Sequence, residues 1–417
     1  MRLRLLVIVL LLASPAFAQT VAIRAGHLID PANGAVAADQ VILIRDGEIA
    51  QIGAGIQIPQ GADVVDLSSE WVMPGLMDAH THLTFIDPPQ GDPLEVLYLK
   101  ESTAFRAMRG LHNAEVLLHA GFTTVREVGN DADYADGDVR RAIQRGWFDG
   151  PTILTAGKII TPFGGQSSGL NPELGTPWRY EYIDADTPEE MRKAVRQNIY
   201  HGADLIKLAA DNDPYVLSLE EVKAAVDEAH RAGRAVAVHV YGGEAAQNCI
   251  DAGVDSIEHG FDLTDAQMQE MKQKGIFLVS TDFPLKHLEV TGTSGGIFPP
   301  PEVLSKRIVE RLRRAYRIGV KIAFGTDTVL ELPNETRADN MLDYLAVWRQ
   351  AGIPAAYTLK AMTTNAAELL RINRERGAIT TGLAADIIAM PSSPLEDTES
   401  LRGVNFVMKN GKVIRRP

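Results

Sequence analysis

The stretch Met73-Pro74-Gly75-Leu76-Met77-Asp78-Ala79-His80-Thr81-His82-Leu83 begins apolar and ends on two histidines two positions apart. A short apolar run without polar alternation reads as a strand buried on both faces. Residues two apart on a strand share a face, so His80 and His82 point the same way. An open doubly wound sheet would put a glycine-rich phosphate loop after its first strand. Asp78-Ala79-His80-Thr81-His82 stands there instead.

Working outward, strand candidates rich in Val, Ile and Leu lie at 73–80, 123–128, 152–156, 205–209, 235–240, 255–259, 277–281 and 321–326. Amphipathic stretches separate them, and several helix starts are legible. Thr187-Pro188-Glu189-Glu190 offers a cap, a first-turn proline and a capping-box glutamate; Ser218 with Glu221 and Thr264 with Gln267 repeat the logic. Eight β-α repeats predict an α/β chain folded as a closed (β/α)8 TIM barrel. The two ends have another texture. Short β-type runs such as Val41-Ile42-Leu43-Ile44 and Ile387-Ile388-Ala389 are broken by Asp46-Gly47 and Asn410-Gly411, which suit tight hairpin turns. Neither end has enough apolar surface alone, so both are expected to build one small β-sandwich, from 19–72 and 372–417, around a barrel at 73–371.

Residues 1–18 are set apart from the fold. Arg2 and Arg4 precede the apolar run Leu5–Leu12, and Ala16-Phe17-Ala18 is a small-x-small cleavage site. That order is a secretory signal peptide, and the apolar run is too short for a spanning anchor. The expectation is an exported chain, periplasmic or secreted, with no membrane attachment after cleavage. The 417 residues, 45% hydrophobic and 23% charged, exclude collagen-like, disordered and disulfide-framework classes. Cys249 is alone, so no internal disulfide forms. A net charge of -13 argues against nucleic acid as a partner. A small-molecule or dipeptide substrate is the expected partner; self-association into a homo-oligomer is left open by the composition.

Chemistry in a barrel sits at the C-terminal ends of the strands. The first candidate ends at His80 and His82, the fourth contains Lys207, the fifth ends at His239, the sixth at His259 and the eighth at Asp327. Four imidazoles, an amine and a carboxylate would meet at one mouth. Inward imidazoles without a metal need other partners, and four exceed what one catalytic zinc usually takes. Two divalent ions, with zinc the expected metal, would use them. A protonated lysine repels cations, whereas Lys207 carboxylated by carbon dioxide could coordinate both. Asp327 would ligate one ion and handle protons. His27, His112, His119, His201, His230 and His287 are read as structural, the commoner role of a lone histidine.

These residues together resemble the amidohydrolase superfamily: the stretch 73–83, Lys207, His239, His259 and Gly325-Thr326-Asp327, then Thr363-Thr364-Asn365-Ala366-Ala367 and Gly382-Leu383-Ala384-Ala385-Asp386-Ile387-Ile388. The resemblance implies a (β/α)8 barrel with a split sandwich, and a metal-activated hydroxide attacking an amide, ester or ring carbonyl. Members with a bridging carboxylated lysine bind two divalent metals. Single-metal deaminases carry a glutamate three residues after the third histidine, and here that position is Gly242. The runs around Lys207, His239 and His259 look like the imidazolonepropionase-like branch, which includes Xaa-Pro dipeptidases acting as carboxypeptidases and amidases releasing phenylalanine from ochratoxin. By this resemblance Tyr241 contacts substrate and takes part in catalysis. The loop holding Gly164, Gly165 and Gln166 shapes the substrate pocket. Many members have histidine where this chain has Gln166.

Three functions follow as expectations. The first is a metallopeptidase or amidase that cleaves a dipeptide with a C-terminal residue such as proline, or an N-acyl amino acid. The second is a hydrolase of cyclic amides, lactones or phosphoesters on the same metals. The third is a non-catalytic barrel that serves as a binding module.

Overall fold

Eight short strands build the barrel wall: Leu76–Thr81, Phe122–Glu127, Thr152–Thr155, Leu205–Ala209, Ala235–Gly242, Ser256–Asp262, Phe277–Val279 and Ile322–Ala323. The computed structural model describes residues 20–86, 99–166, 170–212, 215–291 and 299–417; the leader expected at 1–18 lies outside the described residues. The ladders between consecutive barrel strands are parallel. Two backbone bonds join the first strand to the eighth: Ala79 N–H to Phe324 O and Asp327 N–H to His80 O, each 2.8 Å. Asp204 N–H to Thr155 O at 2.7 Å joins the third to the fourth. The cylinder therefore closes, and the open doubly wound alternative is excluded.

Each of the eight runs contains a barrel strand, with bounds that differ by a few residues, because a strand covered on both faces must be apolar throughout. Helices seal the outside. Ser218 and Thr264 start the helices Leu219–Arg231 and Asp265–Lys274 with complete capping boxes. Thr187 caps Pro188–Tyr200, but the Glu190 carboxylate takes the N–H of Asp186 rather than closing the box on Thr187. Among the described residues no helix is long and apolar enough to cross a membrane.

The chain ends share a seven-stranded sheet. Its spatial order is Lys412–Arg415, Phe406–Lys409, Ile387–Met390, Asp63–Pro74, Val21–Asp30, Ala35–Arg45 and Glu48–Gly53. Asp46-Gly47 and Asn410-Gly411 both have positive φ at each position, the signature of a type I′ hairpin. The sheet curls until these turns touch: a Cβ on Gly411 would lie 2.8 Å from the Gly47 Cα. Around that closure Ile23, Ile42, Val65, Ile387, Phe406 and Met408 form a separate core. Met73 and Pro74, expected to open the first barrel strand, instead end the strand Asp63–Pro74 and pair with Ile388 and Ile387. Gly75 lets the chain leave one sheet for the other, since a Cβ there would sit 2.2 Å from Thr123 Oγ1.

An excursion after the third strand was not legible as structure. It adds Ile159–Thr161 and Tyr182–Asp184, with Ile160 paired to Leu208 of the fourth barrel strand. Three residues per strand leave too little pattern to read.

Candidate metal centre

Register decides what meets at the mouth. Ala209 lies opposite His239, Val240 opposite His259, and Lys207 opposite Ala237. Lys207 therefore sits one side-chain layer below His239. The eighth strand delivers Asp327 through its bond to His80 O. The Oδ1 atom of Asp327 is 3.1 Å from His82 Nε2 and 3.5 Å from His80 Nε2, and its Oδ2 is 3.7 Å from His259 Nδ1. Ring centroids are 5.2 Å apart for His80 and His259 and 4.4 Å for His239 and His259. Four imidazoles from three strands, with one carboxylate, form one cluster. His259, Thr281 and Asp327 hold φ of 68°, 43° and 57°, a region that costs a non-glycine residue about 1–3 kcal/mol, so the surrounding packing must impose it.

Three of the four rings have a hydrogen-bond partner on Nδ1. His80 Nδ1 is 2.7 Å from Glu258 Oε2, His82 Nδ1 2.8 Å from Gly129 O, and His259 Nδ1 2.8 Å from Thr281 Oγ1. A carboxylate and a carbonyl can only accept, so His80 and His82 carry their protons on Nδ1 and turn Nε2 lone pairs toward Asp327. This is how metal-ligating histidines are usually oriented. Burial holds the His80 and His259 rings well below the ordinary imidazole range and takes His239 down to about 3, with the Lys207 amine and neighbouring imidazoles adding to the effect. The rings are neutral, which is the ligating form.

Lys207 is buried among these groups, and its Nζ has no hydrogen-bond partner. Burial brings its amine down to about 8 against the pull of the Glu258 and Asp327 carboxylates. An orphaned buried amine beside neutral imidazoles and a carboxylate is a poor resting arrangement for the polypeptide alone. The donor set fits a divalent cation: one atom each from His80, His82 and Asp327 lies within 4.8 Å of the others, and three protein ligands are what a catalytic site offers.

Tyr241 packs at the same mouth. Its ring lies 4.8 Å from that of His239 and 5.7 Å from that of His259, and stacks on Phe261 at 5.4 Å. Burial, with Asp211 and Asp327 nearby, pushes the phenol far above its usual range, so it is a neutral donor. Gln166 reaches the centre from the excursion: its Nε2 is 3.2 Å from His239 Nε2, and Tyr182 Oη donates to its Oε1 at 3.2 Å. Gly164 and Gly165 make the turn that delivers it. Gly164 N–H donates to Asp184 Oδ1, and a Cβ on Gly165 would meet the Tyr182 ring at 2.6 Å.

The other histidines stay out of the cluster. His27 stacks on Trp71, His201 on Tyr134, His230 meets Asp255 and His287 meets Asp343. Sequence reasoning assigned no role to Glu258 or Arg126, both fully buried beneath the cluster and joined at 2.8 Å. The available signal was a charge inside a run that must be buried on both faces, which demands a partner.

A model of the amidohydrolase family matches residues 71–414. Ochratoxinase of Aspergillus niger is 30% identical, covering 98% of this chain and 89% of that protein. The crystal structure of a Xaa-Pro dipeptidase with methionine bound in its active site superposes with a TM-score of 0.84 at 31% identity, covering 95% of this chain and all of that one. A prolidase complexed with N-methylphosphonate-L-proline superposes at 0.83 with 26% identity, covering 96% and 100%.

Proposed function

The chain belongs to the amidohydrolase family and is a hydrolase, and we propose that it cleaves the amide bond of a small substrate, a dipeptide or an N-acyl amino acid, at a centre of two divalent ions. The observation that carries this reading is the convergence of the His80 and His82 Nε2 atoms on Asp327 Oδ1, at 3.5 and 3.1 Å, above an unpartnered Lys207. The relatives support the bond class: an ochratoxinase and two enzymes named for dipeptide or proline substrates.

In this proposal His80, His82 and Asp327 hold one ion and His239 and His259 the other. The unprotonated Lys207 amine adds to carbon dioxide: the C–N bond forms, an oxygen takes the π pair, and a proton leaves. Burial lowers the amine's hold on its proton, which favours the unprotonated form that carboxylation needs. Carboxylated in this way, Lys207 would be the sixth residue to hold the ions, supplying an anionic ligand where a protonated amine would repel them. Held by these residues, two divalent ions, zinc by expectation, would supply Lewis acidity at the carbonyl and lower the pKa of water toward about 7. Asp327, partly open to solvent, takes the proton of the attacking water and passes it to the departing nitrogen. Tyr241 donates its hydroxyl to the scissile carbonyl oxygen or to a substrate carboxylate. Gln166, with Gly164 and Gly165 setting its loop, contacts the substrate at the same mouth.

A purified, metal-loaded preparation tested on dipeptides and N-acyl amino acids, alongside lactones and phosphotriesters, checks this. Release of free amino acid from the amide substrates is expected. Turnover confined to lactones or phosphotriesters would move the reaction to the second class. We further propose, from the leader pattern read at 1–18, that the chain is exported and acts outside the cytoplasm; N-terminal sequencing of exported protein should then begin at Gln19.

A further inference from the structure

The imidazoles of the cluster are backed unequally. His80 meets a full carboxylate, Glu258, at 2.7 Å. That carboxylate is immobilised: Arg126 Nη2 donates to both its oxygens at 2.8 Å, and Ser256 Oγ donates to Oε1 at 2.5 Å. Arg126 also donates through Nε to the carbonyl of Ala79, the residue before His80. Glu258 and Arg126 are both buried, so solvent does not weaken their contact. His259 is backed by the Thr281 hydroxyl. His239 meets the Gln166 amide at 3.2 Å, and its nearest carboxylate, Asp211, stands 3.5 Å away with its other oxygen taken by Tyr241 N–H. Carboxylate backing of a ligand histidine raises its basicity and fixes its ring, and losing such a partner typically costs 10–100-fold in metal affinity.

Resting on the two-ion reading above, we propose that Glu258 is a positioning residue that makes the centre asymmetric: acting through His80, it lets the position built on His80, His82 and Asp327 take a divalent ion first and hold it more tightly than the position built on His239 and His259. Asp327 alone would also favour the first position, so the wild-type order of loading is not sufficient evidence. The role of Glu258 has to be read from a variant. Glu258→Gln keeps the shape and an acceptor for His80 while removing the charge. Thr281→Val removes the partner of His259 and leaves Glu258 untouched.

The experiment is a stepwise titration of the chelator-stripped chain with Zn2+ against a competing chromophoric chelator, repeated with Co2+ and read by visible absorption. Two resolved steps are expected in the wild type. E258Q should weaken the first step by about 10–100-fold and alter the first Co2+ spectrum without changing the second. T281V should weaken only the second. Equal affinities for the two ions in the wild type would overturn the proposal without any variant having to fold. So would an E258Q protein with an unchanged first step. A wild-type chain that binds no ion would sink the two-ion reading itself, a result distinct from two ions bound alike.

Discussion

The Nε2 atom of His82 stands 3.1 Å from Oδ1 of Asp327, although one follows the first barrel strand and the other the eighth. Closure of the cylinder makes that contact: Asp327 N–H donates to His80 O at 2.8 Å, setting the acid beside the histidine pair. The catalytic reading therefore depends on the seam between the two strands.

Lys207→Ala removes the group expected to span both ions. Metal content should fall from two toward one per chain, by elemental analysis, and amide turnover should fall about a thousandfold, or roughly 4 kcal/mol of barrier. A doubly loaded, fully active variant would show that the amine bridges nothing.

Tyr241→Phe keeps the stack on Phe261 and removes only the hydroxyl. If that hydroxyl serves the carbonyl oxygen, kcat drops by about a hundredfold while metal content holds. A rise in KM alone would assign it to a substrate carboxylate, and unchanged kinetics would leave it a packing role.

Arg337 ties the two loops of the seam together. Its Nη1 donates to Thr328 O at 2.9 Å and to His82 O at 3.4 Å, and its Nη2 to Phe85 O at 2.8 Å. Arg337→Met leaves these carbonyls without their donor and should lower unfolding free energy by about 3 kcal/mol in denaturant titrations. It should also loosen metal retention during dialysis, because His82 and Asp327 sit beside the tethered carbonyls.

Asp136, outside the proposed ligand set, gives a pH-dependent stability. Burial raises its carboxyl to about 6, outweighing the nearby backbone N–H groups and Arg140. The folded pKa lies above the unfolded one, so the folded chain binds the proton more strongly and stability falls as pH rises from about 4 to about 6. The full effect is roughly 3 kcal/mol. Asp136→Asn should gain on the wild type in thermal melts over that window and keep a constant margin above it. A margin independent of pH would mean that the carboxyl titrates normally.

The eight barrel strands were legible because burial on both faces leaves an unbroken apolar run, and a polar residue closing such a run is conspicuous. His80, His82, His239, His259 and Asp327 were found on that ground. Glu258 and Arg126 carry the same kind of signal, yet a charge within a strand acquires meaning only through its partner, and theirs lie on different strands. The excursion from Ile159 to Asp184 was silent because its strands are too short to show a period.

From the sequence alone came the order of the strands, the closed α/β class, the candidate ligand residues and the pairing of the two chain ends, since each rests on local patterning. Only the tertiary structure decided the inter-strand register that sets Lys207 a layer beneath His239, the nitrogen that each imidazole turns to the cluster, and the buried Arg126–Glu258 pair behind His80. Those are relations between segments distant along the chain, and hydrophobic patterning specifies which face a residue takes but not which partner it meets.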